Sequence, residues 1–288
     1  MKKIGTVNKT KDTLKKYGFH VKKKFGQNFL VDQNILQKIV AIPTMTKETL
    51  VLEIGPGLGS LTEHLLDKSK HVLAYEIDND LVQILEENFE DENLSIINED
   101  FLKRNIDEDI IALKMDYKNV VVVANLPYYI TTPIILKIIE ESRIIKELVV
   151  MTQLEVARRL TSNPSTKDYN SLSVAIQYKT IAEIAMKVPK NVFIPAPNVD
   201  SAIVKLTIKD EIEFKPLSEV HFYNLVRSAF KQRRKTLVNN LFVRYNEEKV
   251  ILISYLEDLE LNGQIRAENL SVSDFIRLSD YLLDKGLK

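Results

Sequence analysis

The chain of 288 residues is long enough for one sizeable core and a smaller second unit, with an ordinary 45% of hydrophobic and 28% of charged residues. It contains no cysteine, which excludes disulfides, thiolate–zinc sites and a cysteine nucleophile and suits a reducing cytoplasm; no apolar run approaches the roughly 20 residues that span a bilayer. The formal net charge is zero, so affinity for a polyanion requires charge to be segregated along the chain.

Residues 1–24 carry nine lysines against a single acid, Asp12. They show little periodicity and no apolar signal-peptide core, and read as a basic, mobile segment. A plain solvated lysine run is the alternative. From Asp32 to Ile42, apolar residues recur at helical spacing (Ile35, Leu36, Ile39, Val40). Thr49 to Ile54 reads as a buried strand, with a helix from about Ser60. His71 to Tyr75 is a second strand, with a helix from about Asp78. Leu94 to Asn98 is a third. Val120 to Ala124 is a fourth, followed by a helix that Pro133 helps to start. Glu147 to Met151 is a fifth. This alternation predicts an α/β fold, a parallel sheet with helices on both faces. Ile181 to Val188 and Ser201 to Ile208 read as an antiparallel edge pair.

Beyond Lys209 strand signals cease. His221 to Phe230, Lys235 to Phe242, Lys249 to Leu259 and Val272 to Leu283 all read as helices. The expected division is therefore 1–24, 25–209 and 210–288, the last all-helical. Acids gather at Glu86, Glu87, Glu90, Asp91 and Glu92. Between Arg227 and Arg244 there are six basic residues and no acid. We read this stretch as a basic helix whose Arg233, Arg234 and Lys235 contact nucleic-acid phosphates; packing of this helix against the first domain is the alternative.

Glu53-Ile54-Gly55-Pro56-Gly57-Leu58-Gly59 follows the first strand and leads into a helix. Glycines such as Gly55 and Gly57 allow a tight turn and close approach of a ligand. A dinucleotide fold places glycines at i, i+2 and i+5; here i+5 is Ser60 and the third glycine is at i+4. Glu76 ends the second strand about 20 residues on, where an acid accepts hydrogen bonds from ribose hydroxyls. Asp100 follows the third strand, where it can accept from an adenine amine. Helix capping alone would also explain Asp100. Together these strand ends describe a nucleoside cofactor at the carboxyl edge of an open sheet.

Asn125-Leu126-Pro127-Tyr128 ends the fourth strand on the same edge. It combines an amide, a backbone carbonyl whose neighbouring N–H proline has removed, and an aromatic ring. The Asn125 amide oxygen and the Leu126 carbonyl can accept both hydrogens of an exocyclic amine such as adenine N6. That would localise its lone pair for attack on a methyl group. Tyr128 can stack on a base turned out of its helix. Phe193 opens Phe193-Ile194-Pro195-Ala196-Pro197, a loop held extended by two prolines. Its ring could cover the other face of the base, or be an ordinary core phenylalanine. The histidines His20, His64, His71 and His221 lack ligand spacing, and no metal is expected.

Together these residues resemble the bacterial small-subunit ribosomal RNA adenine dimethyltransferases, the kasugamycin-sensitivity family. The resemblance runs from about Lys24 to the C-terminus. It rests on Phe25-Gly26-Gln27-Asn28-Phe29-Leu30, the Glu53 to Gly59 loop, Asn125-Leu126-Pro127-Tyr128 and Phe193 to Ser201. The first four motifs are also similar to macrolide-resistance methyltransferases of the large subunit. Ala229 to Leu237 and Arg266-Ala267-Glu268-Asn269-Leu270-Ser271 favour the small-subunit family. The resemblance implies a Rossmann-like class I methyltransferase sheet that binds S-adenosyl-L-methionine, and releases S-adenosyl-L-homocysteine, through Asn28, Leu30, Gly55, Gly57, Glu76, Asp100 and Asn125. It implies that Asn125, Leu126 and Pro127 present the target amine between Tyr128 and Phe193. The implied substrate is a pair of adjacent adenosines in a hairpin loop near the 3′ end of 16S rRNA, on immature small subunits. Each would be dimethylated at N6 by a cytoplasmic monomer with a role in ribosome biogenesis. A large-subunit methyltransferase, a DNA adenine methyltransferase and a mainly non-catalytic assembly factor are the alternatives.

Overall fold

Thr49–Ile54 is buried at every position, and the main sheet is built around it. The computed structural model describes residues 4–19, 21, 22 and 26–288. Phe25, His20, Lys2, Lys3, Lys23 and Lys24 lie outside the described residues. In chain order the elements are α1 (Val7–Lys16), β1 (Phe29–Leu30), α2 (Gln33–Ile39), β2 (Thr49–Ile54), α3 (Thr62–Leu66), β3 (His71–Tyr75), α4 (Asn79–Asn88), β4 (Leu94–Ile97), α5 (Ile106–Ala112), β5 (Asn119–Asn125), α6 (Thr131–Glu141), β6 (Ile145–Gln153), α7 (Leu154–Thr161), α8 (Ser171–Lys179), β7 (Thr180–Val188), β8 (Phe193–Ile194), β9 (Ser201–Ile208), α9 (Glu219–Ala229), α10 (Leu237–Tyr245), α11 (Lys249–Asp258) and α12 (Val272–Asp284). None of the described helices is long and apolar enough to cross a membrane.

Seven strands form one sheet in the order β4-β3-β2-β5-β6-β9-β7. The β2–β3, β3–β4, β2–β5 and β5–β6 pairs are parallel, and β9 runs antiparallel to β6. The chain moves outward from β2 through β3 to β4, then crosses back to β5 on the other side of β2. Right-handed crossovers put the helices of these two halves on opposite faces. The same reversal opens a crevice at the carboxyl ends of β2 and β5, where such sheets bind ligands. The loop that starts at Gly55 and the turn that starts at Asn125 both lie there.

The chain divides into two compact units. One holds Met1–Ala157 and Ala182–Ile208, the other Arg158–Ile181 and Lys209–Lys288. Two expectations change. First, the helical unit takes in 158–181, which the sequence reading assigned to the α/β domain. Tyr169, Val174 and Tyr178 join Phe222, Leu225, Leu241, Leu256 and Phe275 in its core, and the Tyr169 hydroxyl donates to the Leu270 carbonyl at 2.9 Å. Caps set the starts of its helices. Ser218 accepts from His221 N, and Ser271 and Asp274 form a reciprocal capping box.

Second, the basic N-terminal segment contains α1 and is tied to its unit rather than loose. Ile4 N donates to Glu63 at 3.0 Å and the Tyr17 hydroxyl to Glu87 at 2.6 Å. Lys22 bridges Asp78 and Asp80 at 2.5 and 2.7 Å. Phe19 packs in a cluster with Phe29, Leu58, Leu81 and Ile84. The buried residues of α1 are Thr10 and Thr13, with Leu14 partly buried against the Phe19 cluster, so the helix has no repeated apolar stripe to betray it.

Candidate active site

The glycine loop and the turn after β5 line one cavity, together with Gly26 to Leu30, Glu53, Glu76, Ile77, Asp100 and Tyr128. Gly55, Gly57 and Gly59 have φ of +70°, +61° and +87°, a region that costs other L-residues about 1–2 kcal/mol. Gly57 has a further reason to lack a side chain, since a Cβ would lie 3.2 Å from the Phe29 ring. At Gly59 a Cβ would come within 2.3 Å of Phe89. Gly59→Ala is therefore expected to destabilise the folded protein by ~2 kcal/mol. Thermal denaturation of this variant beside Gly18→Ala, where nothing lies within 4 Å, isolates the packing part.

Glu76 directly follows β3 and is 5% exposed. Its Oε2 accepts from Gly57 N at 3.2 Å and its Oε1 from Asp78 N at 3.0 Å. Burial pushes its pKa up to about 7 against the pull of these amides. Asp100 Oδ1 accepts from Leu102 N at 3.0 Å, capping a short turn, and the residue also lines the cavity. Glu53 had no assigned role. It is 1% exposed and accepts from Thr62 Oγ1 at 2.7 Å. Burial, then the nearby charge of Glu76, pushes it up to about 8. Its position inside the buried strand β2 was the available signal, because a carboxylate there has no water to solvate it.

On the facing wall, Asn125 Nδ2 donates to the Asn28 carbonyl at 3.2 Å. That contact assigns the amide: the nitrogen is spent on Asn28, and Oδ1 is left to accept from a ligand. Asn28 Nδ2 in turn donates to the Gly26 carbonyl at 2.9 Å. Leu126 N donates to the Met151 carbonyl at 3.3 Å, anchoring the turn to β6. Thr131 Oγ1 and Ile130 N both donate to the Pro127 carbonyl, at 3.0 and 3.2 Å. The Tyr128 hydroxyl lies 2.6 Å from Ser201 Oγ. Ser201 opens β9, so the end of one motif holds the ring of another. Nothing in the sequence reading gave Ser201 that task.

The cavity brings together Asn28, Leu30, Gly55, Gly57, Glu76, Asp100, Asn125, Leu126, Pro127 and Tyr128. It does not include Phe193. That ring is 3% exposed and packs with Leu30, Val188 and Ile203. The cause is register: β8 pairs with β1 so that Phe193 faces Leu30, and both side chains serve the core. The alternative of a core phenylalanine is the one the structure adopts.

In the helical unit, Arg233, Arg234 and Lys235 sit in an exposed turn between α9 and α10, not on a helix. Asn240 interrupts helical pairing there: its Oδ1 accepts from Gln232 N at 3.0 Å. Arg233 is engaged within the protein, pairing with Glu268 at 3.1 Å and donating to the Lys167 carbonyl. Arg234 and Lys235 remain exposed.

Residues 18–284 match the family model described as ribosomal RNA adenine dimethylase. The chain is 48% identical over 285 residues to the ribosomal RNA small subunit methyltransferase A of Bacillus pumilus, covering 98% of each. It is 47% identical to the protein of that name from Streptococcus thermophilus, covering 99% of this chain and all of the other. Among solved structures, a dimethyladenosine transferase from Plasmodium falciparum is similar with a TM-score of 0.74 and 28% identity, over 90% of this chain and 98% of that one. The 23S rRNA methyltransferase ErmE is similar with a TM-score of 0.67 and 26% identity, over 88% and 99%. With the glycine loop, the buried acid of β3 and the asparagine turn gathered at one sheet edge, these likenesses place the chain in the ribosomal RNA adenine dimethylase family.

Proposed function

We propose that this protein dimethylates N6 of two adjacent adenosines in a hairpin loop near the 3′ end of 16S rRNA, using S-adenosylmethionine. The observation that carries the reading is the Asn125–Asn28 contact, which leaves an amide oxygen aimed for a donor beside a buried carboxylate site. The cavity suits the methyl donor. Its loop is built from glycines, and Glu76 and Asp100 offer carboxylates to ribose hydroxyls and an adenine amine. Asn28, Leu30, Gly55, Gly57, Glu76, Asp100 and Asn125 would hold it. Bound there, S-adenosylmethionine supplies an electrophilic methyl group on a sulfonium.

Asn125 Oδ1 and the Leu126 carbonyl accept the two hydrogens of the target amine, which favours a tetrahedral nitrogen with a directed lone pair. The second transfer proceeds with the one hydrogen that remains. No strong base is required before transfer, because the alkylated amine is the stronger acid. Tyr128, with its hydroxyl bonded to Ser201, supports the extruded base, and stacking of this kind contributes about 1–3 kcal/mol. The substrate is an immature small subunit, and methylation there belongs to ribosome biogenesis.

The test is methyl transfer from labelled donor to immature small subunits, with the modified nucleotides mapped. Two adjacent dimethyladenosines near the 3′ end are expected. Transfer confined to large-subunit RNA or to duplex DNA would replace this reading.

Arg234 and Lys235 would contact rRNA phosphates. Neutralising both is expected to reduce the slope of log K against log salt by about 1.5, measured by fluorescence anisotropy on a hairpin of the target sequence. Arg233→Ala should lower stability as well, since it breaks the pair with Glu268. An unchanged slope in the double variant would remove the contact.

A further inference from the structure

Tyr128 and Tyr129 are consecutive, yet they point to different tasks. Tyr128 is half-buried and bonded to Ser201. Tyr129 is 57% exposed, although it forms part of the cavity wall. Its hydroxyl makes no hydrogen bond among the described residues. One edge of its ring lies against Gly26: a Cβ at that glycine would be 3.5 and 3.7 Å from two ring carbons. Gly26 has φ of +59°. Burial, and the charges of Asp100 and Glu76 facing it, hold the phenol above its ordinary range. The ring thus lies against the Gly26 backbone and lines the same cavity as Glu76 and Asp100, the acids that follow β3 and β4. A large exposed ring at the wall of a cleft loses exposed area when a flat ligand slides against it.

We propose that Tyr129 covers the nucleoside half of the methyl donor and sets how tightly the donor and its demethylated product are held. The assignment rests on the donor-site reading above. It gives the ring to the donor side, because the ring lies against Gly26, at the start of the segment that carries Asn28 and Leu30, and shares the cavity wall with Glu76 and Asp100. Each target adenosine takes two methyl groups, so the donor must be exchanged repeatedly, and a residue that holds it governs that exchange. Tyr129 acts as a positioning residue, since it has no group that the transfer needs.

Isothermal titration calorimetry of S-adenosylmethionine and S-adenosylhomocysteine tests this on Tyr129→Ala, Tyr129→Phe and Glu76→Gln. Tyr129→Ala is expected to weaken both ligands about tenfold and to raise KM for the donor alike, with a much smaller effect on kcat and on KM for RNA. Tyr129→Phe should stay within about twofold of the parent, because the ring face and not the hydroxyl does the covering. Weakened RNA binding with unchanged donor affinity in Tyr129→Ala would give the ring to the target base and overturn the proposal. Unchanged donor affinity in Tyr129→Ala beside a loss in Glu76→Gln would overturn this proposal alone. Unchanged affinity in both variants would overturn the donor-site reading with it.

Discussion

Asn125→Ala is expected to lower kcat for methyl transfer by about a hundredfold to a thousandfold, the usual cost of removing one preorganised partner of a reacting group. Donor affinity should change far less, because Glu76 and Asp100 remain. The side chain sits at the end of β5, where Asn125 pairs with Met151 of β6, so its backbone is held by the sheet. Asn125→Asp is the sharper variant. It keeps an acceptor oxygen but loses the amide that donates to the Asn28 carbonyl at 3.2 Å, and it sets a carboxylate oxygen against that carbonyl. It should fail nearly as badly as Asn125→Ala. Single-turnover assays with bound RNA separate the chemical step from binding. Full activity in Asn125→Asp would mean that amide orientation is not the device.

Donor affinity should fall as the pH is lowered through neutrality. Burial raises the Glu76 carboxyl from 4.5 to about 7. Below that value the free protein holds it protonated, and one of its oxygens stops accepting from ribose hydroxyls. The dissociation constant should rise about tenfold per pH unit below 7, and the slope should vanish in Glu76→Gln. Donor binding near neutral pH should release protons, detectable by calorimetry in buffers of different ionisation enthalpy.

The stability of the free protein has the opposite dependence. A glutamate raised in the folded state is protonated there, but ionised in the unfolded chain, between 4.5 and its folded value. The unfolded state then binds fewer protons, so stability falls as the pH rises through that window. For Glu76 the window ends near 7, and for Glu53 near 8. Glu53→Gln should therefore raise the melting temperature at pH 8.5 and leave it nearly unchanged at pH 4.5. A pH-independent melting temperature in the parent protein would contradict the burial argument.

Much of the site was legible because its parts are local. A glycine loop, an acid at a strand end and an asparagine before proline each announce a backbone need or a chemical group within a few residues. Glu53 carried one signal, its place inside a buried strand, but that place does not name the partner, Thr62, that it bonds. Phe193 was misplaced because the sequence describes a loop, whereas the pairing of Leu30 with Phe193 turns the ring into the core. The internal partners of Arg233 were not legible because Lys167 and Glu268, which engage it, lie far away along the chain.

By itself, then, the sequence determined the alternating strands and helices, the glycine loop, the acid that follows β3 and the asparagine turn, and with them which groups would share one sheet edge. These depend on periodicity and on residue chemistry at neighbouring positions. The tertiary structure alone decided that α1 is tied down through Ile4 and Glu63, that 158–181 joins the helical unit, that the Asn125 amide faces Asn28, and that the Tyr129 ring lies against Gly26. Each of the first three is set by contacts between residues 59 to 101 positions apart, and no local pattern encodes which distant partner will fill a given face.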